Sequence, residues 1–211
     1  MSVRAQVEPT LEREWLLRAL LVLQSPRAVF AALRDDSQDA ADARQEPVLA
    51  LLLLAGIAAV LAAPVARTLL DDPARDGLIV AVWAFFGGLV YGVAGYWLVG
   101  ALVYAASRVL GGQGTYRRAR HLAAFAAAPL SLSLLTLWPV AIAAFGGGLF
   151  RSGGSGHALV GWAEGAFALW ALVLLAVGIR SVHAWTWARA LAATALAAAP
   201  VALLVLLQQI A

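Results

Sequence analysis

Five long apolar runs, almost free of charge, constrain this chain more than any other feature. They are Val48–Ala66, Gly77–Ser107, Leu122–Phe150, Ala158–Ile179 and Ala190–Ala211, and only the fourth contains an ionisable residue with a carboxylate, Glu164. A helix rises ~1.5 Å per residue, so roughly 20 apolar residues cross a hydrocarbon core of ~30 Å. Inside lipid every backbone N–H and C=O must be paired, and within a run of this length a helix pairs them. The expected fold class is therefore all-α: a polytopic membrane protein of five transmembrane helices with a short N-terminal amphipathic helical region. Composition agrees. Of 211 residues, 63% are apolar and 13% charged, where soluble domains carry ~25% charged residues.

Two parts follow from the pattern. Residues 1–46 form a cytoplasmic N-terminal region with interfacial helices, and residues 47–211 form the five-span membrane domain. The stretch Trp15–Leu23 is too short to span and is followed by Gln24-Ser25-Pro26-Arg27 rather than small cleavage-site residues, so the N-terminus is expected to be retained. Trp15 suits the headgroup level, with Arg18 snorkelling. Ser25 and Pro26 read as a helix cap and first residue, with Val29, Phe30 and Leu33 on one face. The second run would be ~46 Å long as a helix, so it must tilt, protrude or begin after Gly77. The third holds Pro129 and Pro139; a break is expected near Pro139, with Gly146-Gly147-Gly148 ending the span.

Arginine placement sets the expected orientation. All fifteen basic residues are arginine. Counted over alternate connections, twelve fall on the side of the N-terminus and three on the other. Positive residues favour the cytoplasm, which places the N-terminus inside and the C-terminus outside. Arg117, Arg118 and Arg120 stand in the second loop with no acid in that stretch. They are candidates for anionic-lipid contact, each contributing ~1 kcal/mol near a charged membrane, with Tyr116 anchoring at the headgroup level.

Other candidates are fewer. Glu164 is the intramembrane acid candidate. Gly161 and Gly165 flank it as a small-xxx-small pair that would admit a neighbouring helix. Ala84, Gly88, Gly92 and Gly100 line the second span for close packing within the monomer. The aromatics of that span read as lipid-facing or interfacial. Gly153 to Gly156 with His157 imitate a serine-protease loop, but a flexible loop cannot hold a base on its nucleophile, and a plain turn is expected. The three histidines, His121, His157 and His183, lie apart, so no metal site is expected. With no cysteine, disulfide and thiolate chemistry are excluded.

Three stretches resemble the Yip family, five-span membrane proteins named for interaction with Ypt/Rab GTPases. They are "LQSPRAVFAAL", "LGGQGTYRRARHLAAFAAAPLSL" and "VGIRSVHAWTWARALAATALAAAP". They look like the family's pre-membrane helix, its glycine-rich loop with basic turn and proline-containing third span, and the turn between its last two spans. The resemblance is to the bacterial branch, which implies a bacterial cytoplasmic membrane. Ala124-Phe125 stands where the eukaryotic branch has a glycine-tyrosine pair, so no Rab-binding residues are carried over. The expected function is a non-enzymatic membrane protein of the Yip type that organises membrane or binds lipid and protein partners. The alternative is a small transporter or lipid-handling protein. Membrane lipids, anionic ones above all, are the expected partners beside an unidentified protein; catalytic residues, cofactors and nucleic acid are not expected.

Overall fold

The computed structural model describes residues 14–210, and regular structure among them is helical throughout. Helix α1 covers residues 14–21. The others are α2 Pro26–Ala32, α3 Gln38–Asp42, α4 Gln45–Ala62, α5 Gly77–Val109, α6 Tyr116–Ala126, α7 Ala128–Phe145, α8 His157–His183 and α9 Trp187–Ile210. Five stretches are long and apolar enough to cross a membrane: Gln38–Ala62, Gly77–Val109, Tyr116–Phe150, His157–His183 and Trp187–Leu207. The protein is a multi-pass, all-α membrane protein.

The spans close into a ring. Helix α4 packs on α5 and α7, α8 packs on α7 and α9, and α9 returns to α5. Helix α6 bridges α4, α5 and α8 across one end, where α2 also meets α8. That end carries most of the arginines, and we call it the basic end. At the opposite end the first and third connections are tied. Leu70 N–H donates to Phe150 O at 2.7 Å, and Asp71 accepts the Ser152 backbone N–H at 2.8 Å. The Ser152 hydroxyl and then its N–H hold the Asp71 carboxyl below the usual aspartate range.

Local chemistry sets the helix limits. Asp76 caps α5, accepting from Leu78 N at 3.0 Å and Ile79 N at 3.2 Å. Helix α4 stops at Ala62, earlier than the uncharged run, because Ala63 is extended ahead of Pro64; a residue before proline is pushed out of helical backbone. The break in the third run falls between α6 and α7, at Ala127, rather than near Pro139. Pro129 has no N–H to donate back to Phe125 O, and its ring crowds that carbonyl. Helix α7 stays helical through Pro139 and ends at Gly146, whose φ is +54°. At 33 residues α5 is ~50 Å long.

Glycine lets α4 and α5 cross at backbone distance. A Cβ on Gly56 would stand 2.1 Å from Gly88 O, and one on Gly92 would stand 2.5 Å from Leu52 O. Ala84, Gly88, Gly92 and Gly100 are all buried within the monomer, as their spacing implies. In lipid no hydrophobic force drives helices together, so close packing of this kind carries the association. The N-terminal segment behaves differently from its expectation. Trp15 is buried against Phe125, with ring centroids 5.7 Å apart, rather than lying at the headgroup level. Leu16, Leu17, Leu20 and Leu21 form the exposed face of α1. In α2, Ser25 sits at the cap position without a side-chain cap bond, while Val29, Phe30 and Leu33 are buried as a set.

The crossing makes a direct prediction. Gly88→Ala and Gly92→Ala force backbones apart and destabilise by roughly 1–3 kcal/mol. Gly95→Ala and Gly165→Ala enter open space and leave stability unchanged or slightly raised. Thermal unfolding of the four variants in one detergent decides it; equal melting of all four would contradict the crossing.

Candidate functional site

Segments far apart in sequence meet at the basic end. The hub is Asp36, whose side chain is 9% exposed. Arg117 Nε donates to Asp36 Oδ1 at 3.2 Å, Arg117 Nη2 donates to Asp36 O at 2.5 Å, and Arg117 Nη1 donates to Gln38 Oε1 at 2.7 Å. The Thr115 hydroxyl donates to Asp36 Oδ2. Arg118 Nη2 lies 3.9 Å from Asp36 Oδ2 and donates to Arg34 O at 2.9 Å. Arg44 Nη2 lies 3.8 Å from Asp36 Oδ1 with its side chain 0% exposed. Three guanidiniums share one carboxylate, so the cluster keeps a surplus of positive charge. The Asp35 carboxyl beside it is held below the usual aspartate range, first by the Ser37 backbone N–H and then by its side chain.

Thr115 also builds the scaffold for this cluster, because its hydroxyl accepts from Arg118 N at 3.1 Å and starts α6. The first turns of α6 carry Arg117, Arg118 and Arg120, and the remainder of the helix, including Leu122 and Phe125, is buried. Arg120 turns towards α5. Its guanidinium carbon lies 3.9 Å from the Trp97 ring centre and 4.9 Å from those of Tyr96 and Tyr116. Gly100 makes room: a Cβ there would stand 2.3 Å from Arg120 Cγ. Tyr116 donates its hydroxyl to Trp97 O at 2.7 Å, an internal bond rather than a headgroup anchor.

The turn between the last two spans joins the same assembly. Arg34 Nε and Nη2 donate to Ser181 O at 3.0 and 2.5 Å. Arg189 Nε donates to Leu110 O at 2.8 Å, and its guanidinium lies 4.2 Å from the Trp185 ring centre. Trp185 stacks on His183 at 4.6 Å. Phe30 of α2 sits against Gly178 of α8, where a Cβ would meet its ring at 3.1 Å. The three stretches quoted from the sequence are thus one contiguous structure.

Among the arginines named from sequence, Arg117 and Arg118 have the acid that their own stretch lacks. It comes from Asp36, 81 residues away for Arg117. The aromatic enclosure of Arg120 and the buried Arg44 over Trp15, at 5.0 Å, went unforeseen. Gly100, four positions past Tyr96, is the sequence signal for the enclosure.

Glu164 is elsewhere, buried between α8 and α7. Its Oε1 accepts from Ser133 Oγ at 2.9 Å and Trp138 Nε1 at 2.5 Å. No helix of this chain packs on the neighbouring glycines among the described residues: Gly165 faces open space, and Gly161 meets only Arg67 Nη2 at 3.9 Å. His157 is engaged with Arg151 O at 3.0 Å. Gly153 and Gly156 have φ of +69° and +87°, a turn that ends at the start of α8. Glu164→Gln keeps the acceptor oxygen and should change stability by under ~1 kcal/mol. Glu164→Leu strands the indole N–H, because Ser133 can still use Leu130 O at 2.8 Å, and should cost about 1–3 kcal/mol. Melting temperatures in detergent test the pair; equal loss in both would mean the charge, not the hydrogen bond, matters.

Comparison with curated proteins returns no match, and neither does comparison with solved structures. A family model described as the Yip1 domain matches residues 20–208. That match covers the N-terminal helix α2, the basic end and all five spans, so the chain belongs to the Yip1-domain family of membrane proteins.

Proposed function

We propose that this chain is a non-enzymatic organiser of a bacterial cytoplasmic membrane that keeps its basic end inside the cell and gathers anionic lipid, with a protein partner, at that end. The observation that supports this reading is the surplus of guanidinium there. Asp36 is shared by Arg44, Arg117 and Arg118, and the side chains of Arg117 and Arg118 stay 32% and 20% exposed. Arg117, Arg118 and Arg120 are the residues we assign to the lipid-facing charge. The fixed loop makes lipid contact cheaper, because ordering entropy has already been spent in folding. A transport reading would need Glu164 on a pathway. Its carboxylate is buried and capped by Ser133 and Trp138, which favours the organiser.

Orientation is testable because the chain has no cysteine. Single cysteines at Gln24, Gln113 and Ser155, all exposed positions, are treated in intact cells with a membrane-impermeant thiol reagent. Ser155→Cys should label, and the other two should label only after the membrane is opened. Labelling of Gln113→Cys in intact cells would reverse the proposed topology. For the lipid, wild type and the Arg117→Gln, Arg118→Gln, Arg120→Gln triple variant are extracted in polymer-bounded nanodiscs. The anionic share of co-extracted lipid should fall about twofold or more in the variant. An unchanged share rejects the assignment of these arginines.

A further inference from the structure

We propose that the groove between α2 and the α8–α9 turn binds one anionic phospholipid by its phosphate, at a site separate from the α6 arginines. This deepens the lipid-facing reading of the basic end and rests on it. The groove has a volume of about 350 Å³ and is lined by Arg27 and Arg34 on one side and by Arg180, Ser181, Ala184 and Trp185 on the other. None of its lining residues is acidic. Among the described residues no carboxylate lies within ion-pair distance of Arg27, Arg34 or Arg180, since the five ion pairs involve other arginines.

The nearest acids in sequence are already engaged. Asp36 is held by Arg117 and Thr115, and Asp35 accepts from Ser37 N at 3.0 Å. The end of α8 would by itself repel an anion, because the last carbonyls of a helix carry partial negative charge. Arg34 removes that obstacle. It binds Ser181 O through Nε and Nη2, which leaves Nη1 without a partner among the described residues and fixes the guanidinium in place. Arg180 is held 4.7 Å from the Trp187 ring centre, and its Nε is buried without a hydrogen-bond partner among the described residues. Ala184, at φ +53°, ends α8 in a left-handed turn, with Trp185 N–H donating to Arg180 O at 3.2 Å. Such backbone is uncommon for alanine, and it folds the turn back to form the groove wall.

The phosphate's carrier is a lipid rather than a free ion because the groove has apolar neighbours that face outward. Trp187 of α9, against the Arg180 guanidinium, is exposed, and so is Leu191 one turn further along α9. Helix α1, which precedes α2 in the chain, also exposes Leu17, Leu20 and Leu21. Tryptophan at such a boundary suits the headgroup level. Guanidinium groups match phosphate oxygens in a planar fork.

The test uses the full-length protein in detergent, with native mass spectrometry reading lipid adducts. Phosphatidylglycerol, phosphatidylcholine and inorganic phosphate are added separately. Wild type should retain one phosphatidylglycerol, bind phosphatidylcholine at least about tenfold less, and lose no adduct to millimolar inorganic phosphate. Arg27→Gln with Arg180→Gln should weaken phosphatidylglycerol roughly tenfold to thirtyfold, as two membrane-facing arginines would. If the double variant melts lower than wild type, Arg27→Gln alone is used, because Arg27 is exposed on α2. The α6 triple variant should keep the adduct. Loss of the adduct in the triple variant but not in the double variant would overturn the groove while leaving the broader lipid reading intact. An adduct that persists in the groove while nanodisc enrichment is unaffected by the triple variant would reject the α6 assignment alone. Displacement by inorganic phosphate would make the site one for a soluble anion and overturn the proposal.

Discussion

Asp36 accepts hydrogen bonds from Arg117 and Thr115 while Arg44 and Arg118 stand within 4 Å, and the basic end is arranged around that meeting. Magnitudes decide which contact matters most. In the pair with Asp36 the Arg117 side chain is 32% exposed, and pairs screened by solvent contribute about 0–1 kcal/mol. Arg44 is fully buried, and its guanidinium nitrogens make no hydrogen bond among the described residues. Its charge rests on Asp36 and on the Trp15 ring. Stranding a buried cation costs about 3–5 kcal/mol. Asp36 therefore stabilises mainly through Arg44, while its bonds to Arg117 and Thr115 dock the N-terminal segment onto α6.

The membrane ring beneath this platform uses different physics. Helices α4 and α5 meet through Gly56, Gly88 and Gly92, where dispersion and close backbone contact replace the hydrophobic effect. Glu164 joins α8 to α7 through a hydroxyl and an indole rather than through an ion pair. A basic, amphipathic α6 laid across an otherwise apolar ring gives one end its charge, while at the other end the first and third connections are tied to each other. The arginine asymmetry on which the proposed orientation rests is also the one that supplies the candidate binding surface.

Much of this architecture is legible in the sequence. The five spans, the glycine stripe of the second span and the buried face of α2 follow from run length and helical spacing. The limits of the helices are less so. The first span ends before Pro64 and the third breaks at Ala127, two residues ahead of Pro129, because backbone hydrogen bonding, not the absence of charge, ends a helix. Arg117, Arg118 and Arg120 stand out as a basic group, yet their partners do not. Asp36 is 81 residues from Arg117, and no local periodicity links them. The enclosure of Arg120 by Tyr96, Trp97 and Tyr116 likewise depends on how α6 crosses α5 at Gly100. Glu164 is visible as an intramembrane acid, but its two donors come from another helix.

The docking of the N-terminal segment onto α6 through Asp36 is tested most directly by amide hydrogen exchange on Asp36→Asn and wild type in the same lipid nanodiscs. The account predicts that protection falls about tenfold or more both at residues 34–44 and at residues 116–121, since one carboxylate serves both segments. Loss confined to residues 34–44, with α6 as protected as in wild type, would contradict it.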